Sequence, residues 1–183
     1  LNNGLFTSEI HAFTSKYDTL SGVLMSKVIV FTLEEPLLDT NDSKEVLAIE
    51  REPNLDGLWD TGAACSVVTQ RVVAELNLKP IKYGTVSTPN GEYETPFFYV
   101  RIGLPNHVMV GPLLVPLGQP SGCDVLIGMD VIANGDFAVS NYNGKTTFSF
   151  RIPSIESTDY VKNANISKTI GQVHGKGKKK KKR

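Results

Sequence analysis

Asp60 is where chemistry is most concentrated in this chain. It ends an apolar run, Leu58-Trp59, and is followed directly by Thr61, Gly62, Ala63 and Ala64. A carboxylate in such a place is costly to bury unless something pairs with it or uses it. Two carboxylates a few ångströms apart cannot both ionise easily, so they share a proton. One can then act as general base on a water and the other as general acid. The neighbouring residue types suit that work. Gly62 permits a tight turn that brings N–H groups toward the carboxylate. Thr61 supplies a hydroxyl able to lock the loop to a counterpart. Cys65 lies beside the motif, but a thiol nucleophile needs a positioned base, and His11, His107 and His174 have no context for that role. Cys65 therefore reads as a small pocket or core residue, and Trp59 as a packing residue.

The elements that must hold Asp60 are mostly strands. Residues 26–33, SKVIVFTL, are β-branched and aromatic. Residues 45–50 form a second short strand after a loop containing Pro36, and residues 55–59 lead into Asp60. A helix is expected near 70–77, with Thr69 as N-cap and Val68, Val72, Val73 and Leu76 on one face. Asn90-Gly91 marks a two-residue hairpin turn within 85–94, and Asn143-Gly144 marks another between alternating strands. The segments 97–104, 107–117 and 123–129 are β-rich and broken by Gly and Pro, with a possible short helix after the last. There is no internal repeat. The expected fold is all-β, mainly strands with one or two short helices, in a closed or sandwich-like domain.

Three motifs in this order resemble those of the retropepsins, the single-domain retroviral-type aspartic proteases. They are Asp60-Thr61-Gly62-Ala63 with a helix after it, the Asn90-Gly91 hairpin, and Leu126-Ile127-Gly128-Met129-Asp130. The likeness is closest to cellular and bacterial members, such as the protease domain of DNA-damage-inducible ubiquitin-shuttle proteins. It covers about residues 25–152, with the closing hairpin DFAVSNYNGKTTFSF included. The resemblance implies a closed-barrel-like acid-protease fold and an aspartic endopeptidase that needs neither cofactor nor metal. Asp60 would be the catalytic carboxylate, supported by Thr61, Gly62 and Ala63. Residues 87–94 would form a flap, with Thr88, Pro89, Asn90, Gly91 and Glu92 around its tip. Ala64, Val67 and Ile127 would line the substrate pocket, and Gly128 would let the chain cross behind the Asp loop. Viral members carry an acidic residue four positions after the catalytic Asp to hold substrate backbone, and here that position is Ala64.

A dyad requires a second Asp. Asp39-Thr40-Asn41 lacks the Gly and lies too near for a second lobe, and Asp124, Asp130 and Asp136 lack the motif. Asp130 reads as a helix-end or surface hydrogen-bonding residue. The second carboxylate is therefore expected from a second copy of the chain, in a symmetric homodimer acting on a polypeptide. A catalytically idle dimerisation or peptide-binding module of the same fold is the alternative.

The 183 residues suffice for one domain with tails, and 40% hydrophobic with 21% charged residues is ordinary for a soluble protein. No apolar run approaches the roughly 20 residues that span a bilayer. The start shows no signal peptide, and Cys65 and Cys123 have no metal-like spacing, so a cytoplasmic location is expected. Residues 1–20 read as a polar, mobile or loosely docked arm, 21–153 as the domain, and 154–183 as a polar, then basic, disordered tail. The formal net charge of zero hides an asymmetry. Residues 176–183 hold seven of the 19 basic residues, which leaves the rest at −7. Such a tail is usually solvated, though it could give weak contact with nucleic acid or an anionic surface.

Overall fold

The computed structural model of the chain describes residues 10–33, 54–89, 91–162 and 164–165. The expected strand at 45–50, the Asp39 loop, Asn90 and the basic tail lie outside the described residues. Within them the molecule is mainly β, with few and short helices. Its strands are β1 (His11–Lys16), β2 (Met25–Phe31), β3 (Leu55–Trp59), β4 (Val67–Val68), β5 (Lys82–Thr88) and β6 (Gly91–Gly103), then β7 (Met109–Pro116), β8 (Val125–Ile127), β9 (Asp136–Ser140) and β10 (Thr147–Ile152). Helix α1 covers Gln70–Glu75 and α2 covers Met129–Ile132.

The strands form two sheets rather than one closed barrel. A seven-stranded sheet runs β4-β8-β3-β2-β6-β5, with β7 on β6, and a three-stranded sheet runs β1-β10-β9. The many short strands suggested closure, but the hydrogen-bonded path runs only from β4 to β5, and a single bridge from Val68 to Leu117 links β4 to the chain just past β7 among the described residues. Two details of this topology position the site. β3 runs parallel to β8, with Leu58 opposite Leu126 and Trp59 opposite Ile127. β4 pairs antiparallel with the other edge of β8, with Val67 opposite Leu126. The chain therefore leaves β3 at Asp60, loops, and returns to flank β8 from its other side.

The core explains why β3 ends where it does. Trp59 is buried and its indole N–H donates to the Ser26 hydroxyl at 2.9 Å. Its ring stacks on Phe137 at 5.7 Å and packs on Phe13, Phe148 and Phe150. Aromatic pairs of this kind add about 0.5–1.5 kcal/mol each beyond their buried area. The three-stranded sheet thus seats the residue before Asp60 and leaves Asp60 at the rim.

Over His11–Lys16, β1 corrects the reading of residues 1–20 as a mobile or loosely docked arm; residues 1–9 lie outside the described residues. His11–Lys16 pair along their length with β10, from His11 opposite Ile152 to Lys16 opposite Thr147, and burial alternates with period two. Phe13 supplies the anchor, edge-on to Phe148 at 5.6 Å. The tail boundary at 154 also falls early. Asp136 accepts the Ser154 hydroxyl and the Ile155 N–H, and Arg151 reaches Glu156 at 2.9 Å. Helix α1 ends at Glu75 rather than 77, because Asn77 takes a positive φ of 50°. The Thr69 hydroxyl makes no capping bond.

Candidate active site

The loop from Asp60 to Ser66 is tied to the residues around Gly128 at successive points. The Asp60 N–H donates to the Ile127 carbonyl at 2.9 Å, continuing the β3–β8 ladder one residue past the strand. The Met129 N–H donates to the Ala63 carbonyl at 2.8 Å. The Gly128 N–H donates to the Ser66 hydroxyl at 3.0 Å. Gly128 lies so close to this loop that a Cβ on it would sit 2.5 Å from the carbonyl carbon of Cys65. That is inside any allowed contact, so only glycine fits.

Asp60 is half-buried, and its Oδ1 accepts the Gly62 N–H at 2.8 Å. Charge-assisted bonds of this type orient a carboxylate as well as stabilise it. Thr61, Gly62 and Ala64 are exposed, and Ala63 is half-buried. The loop tip therefore faces outward with the carboxylate beside it. The carboxylates of Asp56 on β3, Asp124 just before β8 and Asp130 in α2 are engaged elsewhere. Asp56 pairs with Lys27 at 2.7 Å, Asp124 with Arg71 at 2.9 Å, and Asp130 accepts from Ser66.

Val67 packs against Gly118, whose own N–H donates to the Val68 carbonyl at 3.0 Å. The hydroxyl of Tyr93, on the hairpin formed by β5 and β6, lies at the same spot. The hairpin thus roots beside the strand that follows the Asp60 loop. Ile127 does not line this space. It is 0% exposed within the hydrophobic core, on a strand flanked by β4 and β3, and its carbonyl holds the Asp60 N–H.

The hairpin turn differs from the expected one. Thr88 pairs with Gly91, so Pro89 falls in the turn and Gly91 begins β6. Proline fixes φ near −65° and has no N–H, so Pro89 cannot serve as a ladder residue flanking an Asn90-Gly91 turn. Gly91 takes a φ of +116°, a conformation side chains rarely adopt. The Thr88 hydroxyl donates to the Gly91 carbonyl at 2.9 Å, and the Ser87 hydroxyl to Glu92 at 2.9 Å.

Cys65 is poorly suited to be a nucleophile. Burial raises its thiol pKa, and the charge of Asp130 raises it further. Cys65 and Cys123 are both free. Among the described residues no three His, Cys, Asp or Glu side chains converge as a metal site, and no helix is long and apolar enough to cross a membrane. Ser66 and Asp130 are the participants that local sequence reading missed as a pair. Each is unremarkable in its own segment, and the fold brings them together.

No family model matches this chain, and no curated protein does. Several solved structures are similar to it. A retropepsin-like aspartic protease from Rickettsia conorii is 13% identical, covering 81% of this chain and 98% of its own, with a TM-score of 0.49. The protease of simian foamy virus is 18% identical, covering 44% of this chain and 82% of its own, with a TM-score of 0.33. A Legionella pneumophila protein of unknown function is 20% identical over 46% of this chain and 78% of its own, with a TM-score of 0.30. None of these likenesses is close enough to carry a functional reading, which rests on this chain's own residues.

Proposed function

We propose that this chain is an aspartic endopeptidase whose dyad is completed by the Asp60 of a second copy. The observation that carries the reading is the setting of Asp60. It stands at the end of a buried strand, its backbone N–H fixed by Ile127 and its carboxylate by the Gly62 N–H, beside an outward-facing loop. A carboxylate placed for packing alone would be paired with a cation within the chain, as Asp56 and Asp124 are.

In the proposed reaction one proton is shared by two Asp60 carboxylates across a two-fold axis. The ionised member removes a proton from water as the oxygen attacks the peptide carbonyl carbon, and the protonated member gives its proton to the carbonyl oxygen. Collapse of the resulting diol breaks the C–N bond: the member that took the water's proton gives it to the nitrogen, and the other recovers a proton from a diol hydroxyl, which leaves the dyad as it began. The β5–β6 hairpin would close over the peptide, exclude water and orient it. Thr61, exposed at the loop tip, would meet its counterpart beneath the dyad. Val67 and Ala64 would contact substrate side chains.

The test is incubation of the chain with a diverse peptide library over a range of pH, beside Asp60→Asn. This substitution keeps the shape and removes the ionisable group. The variant is expected to fold and to lose hydrolysis by orders of magnitude. Cleavage by a folded Asp60→Asn protein overturns the assignment. Peptide binding without cleavage by the wild-type chain would mark it as an idle module instead.

A further inference from the structure

We infer that Asp130 is a positioning residue for the Asp60 loop, acting through the Ser66 hydroxyl. Its kinetic consequence rests on the aspartic-endopeptidase reading; the bonding itself does not.

Three hydrogen bonds join the loop to residues 127–129. Two use only backbone atoms, Asp60 to Ile127 and Met129 to Ala63, and would survive most substitutions. The third depends on side chains. The Gly128 N–H donates to Ser66 Oγ at 3.0 Å, and that hydroxyl donates in turn to Asp130 Oδ1 at 2.7 Å. The Ser66 N–H is shared between both carboxylate oxygens at 2.9 Å each. Ser66 is 0% exposed, so water cannot replace these partners.

The chemistry of the groups fixes the direction of this relay. A carboxylate only accepts, so the single hydroxyl proton of Ser66 must point to Asp130. Its lone pairs are thereby free to receive Gly128. A bond to a charged acceptor is also stronger and shorter than one between neutral groups. Asp130 accepts a further bond, from the Val131 N–H at 3.0 Å. Helix α2 starts from Gly128 without a side-chain cap, so none of these bonds is needed to begin it. The two bonds reaching 64 residues back to Ser66 serve the loop.

The loop needs such an anchor. Between Asp60 and Ser66, Thr61, Gly62 and Ala64 are exposed and contribute little packing. Asp60 is held at the near end by β3, and Ser66 is the far end. The Gly62 N–H that orients the Asp60 carboxylate lies between them. Releasing Ser66 lets Gly62 move, and the carboxylate loses its fixed direction.

The experiment compares Asp130→Ala, Asp130→Asn, Ser66→Ala and Ser66→Thr with wild type by two readouts. The first is amide hydrogen exchange. Exchange at Gly62 and Gly128 is expected to quicken by about tenfold in both alanine variants, through local opening, while β6 keeps its protection. The second is peptide hydrolysis. Because misplacement by about 1 Å costs up to about a hundredfold, kcat is expected to fall by about 10–100-fold in the alanine variants, with KM little changed. Asp130→Asn retains an acceptor oxygen and Ser66→Thr retains the hydroxyl, so both are expected to recover most of the rate. Unchanged exchange at Gly62 in folded Asp130→Ala overturns the inference. So does unchanged kcat per folded molecule. If Asp130→Ala does not fold, Ser66→Ala and its threonine rescue decide by the same criteria. If wild type hydrolyses no peptide, the endopeptidase reading fails, and the exchange readout alone decides the positioning role.

Discussion

Gly128 and Asp136 show how differently single residues bear on this molecule. A methyl group at 128 would lie 2.6 Å from the Cys65 carbonyl oxygen as well as against its carbon, and both are backbone atoms that cannot step aside. Gly128→Ala is expected to cost about 1–3 kcal/mol through overpacking, and to push the Asp60 loop outward so that hydrolysis falls more than stability. Thermal unfolding and peptide turnover of the variant check this; wild-type values of both would contradict the close crossing. Asp136 acts on stability instead. The Ser154 hydroxyl, the Ile155 N–H and Arg151 hold its carboxyl well below the usual carboxylate range. A lowered folded-state pKa stabilises the fold above the unfolded value, about 3.9, and that stabilisation is lost as pH falls from there toward the folded value. Asp136→Asn should therefore lower the melting temperature at pH 6, and its deficit should shrink below about pH 4. A deficit that grows with acid would show that Asp136 is not the anchor. Gly128 stood out in the sequence only through the motif it belongs to, Leu126-Ile127-Gly128. The Ser66–Asp130 bond was not legible there, since partners 64 residues apart leave no local signal.

Elements carry a different lesson, seen in the hairpin and in β1. The sequence signalled a hairpin at Asn90-Gly91 and a hairpin forms there, but Pro89 moves the turn back by one residue. The slip matters because it places the positive φ of Gly91 at the start of β6, where Thr88 bonds its carbonyl. Gly91→Val should strain that junction, since a β-branched residue resists positive φ. Turnover is expected to fall by far more than the melting temperature, because the hairpin hangs beyond the core. Full turnover in a folded Gly91→Val protein would mean that the hairpin does not close on substrate. β1 was invisible for a physical reason. Its only aromatic is Phe13, its other residues are polar or small, and the strand it pairs with lies at the far end of the domain. Local alternation of one anchor with polar neighbours looks like a loop until β10 supplies the other half of the ladder. The parallel approach of β3 to β8 was hidden likewise, as no hairpin joins them.

At the scale of the whole molecule the proposal makes one chain insufficient. Mixing Asp60→Asn with wild type in equal amounts, with subunit exchange verified, leaves about a quarter of dimers with two Asp60 residues, because each chain is drawn independently. Activity per wild-type chain should then fall by about half, if dimers with one Asp60 are inactive. Undiminished activity per wild-type chain would show that each copy holds a complete site.

The pairing of β3 with β8, and of β1 with β10, also sets an order in time. A ribosome releases the chain from its N-terminus, and domains fold as enough of them emerges. Asp60 leaves the ribosome well before Ile127, whose carbonyl fixes its backbone, and before Asp130. His11 must wait for Ile152 before β1 has a partner. Contacts of such long sequence separation form slowly. A chain arrested in synthesis before residue 127 therefore carries the Asp-Thr-Gly residues without the carbonyl that sets them. Under the endopeptidase reading, the growing polypeptide is unable to cut itself or its neighbours on the polysome, and competence arrives only with the last strand of the body.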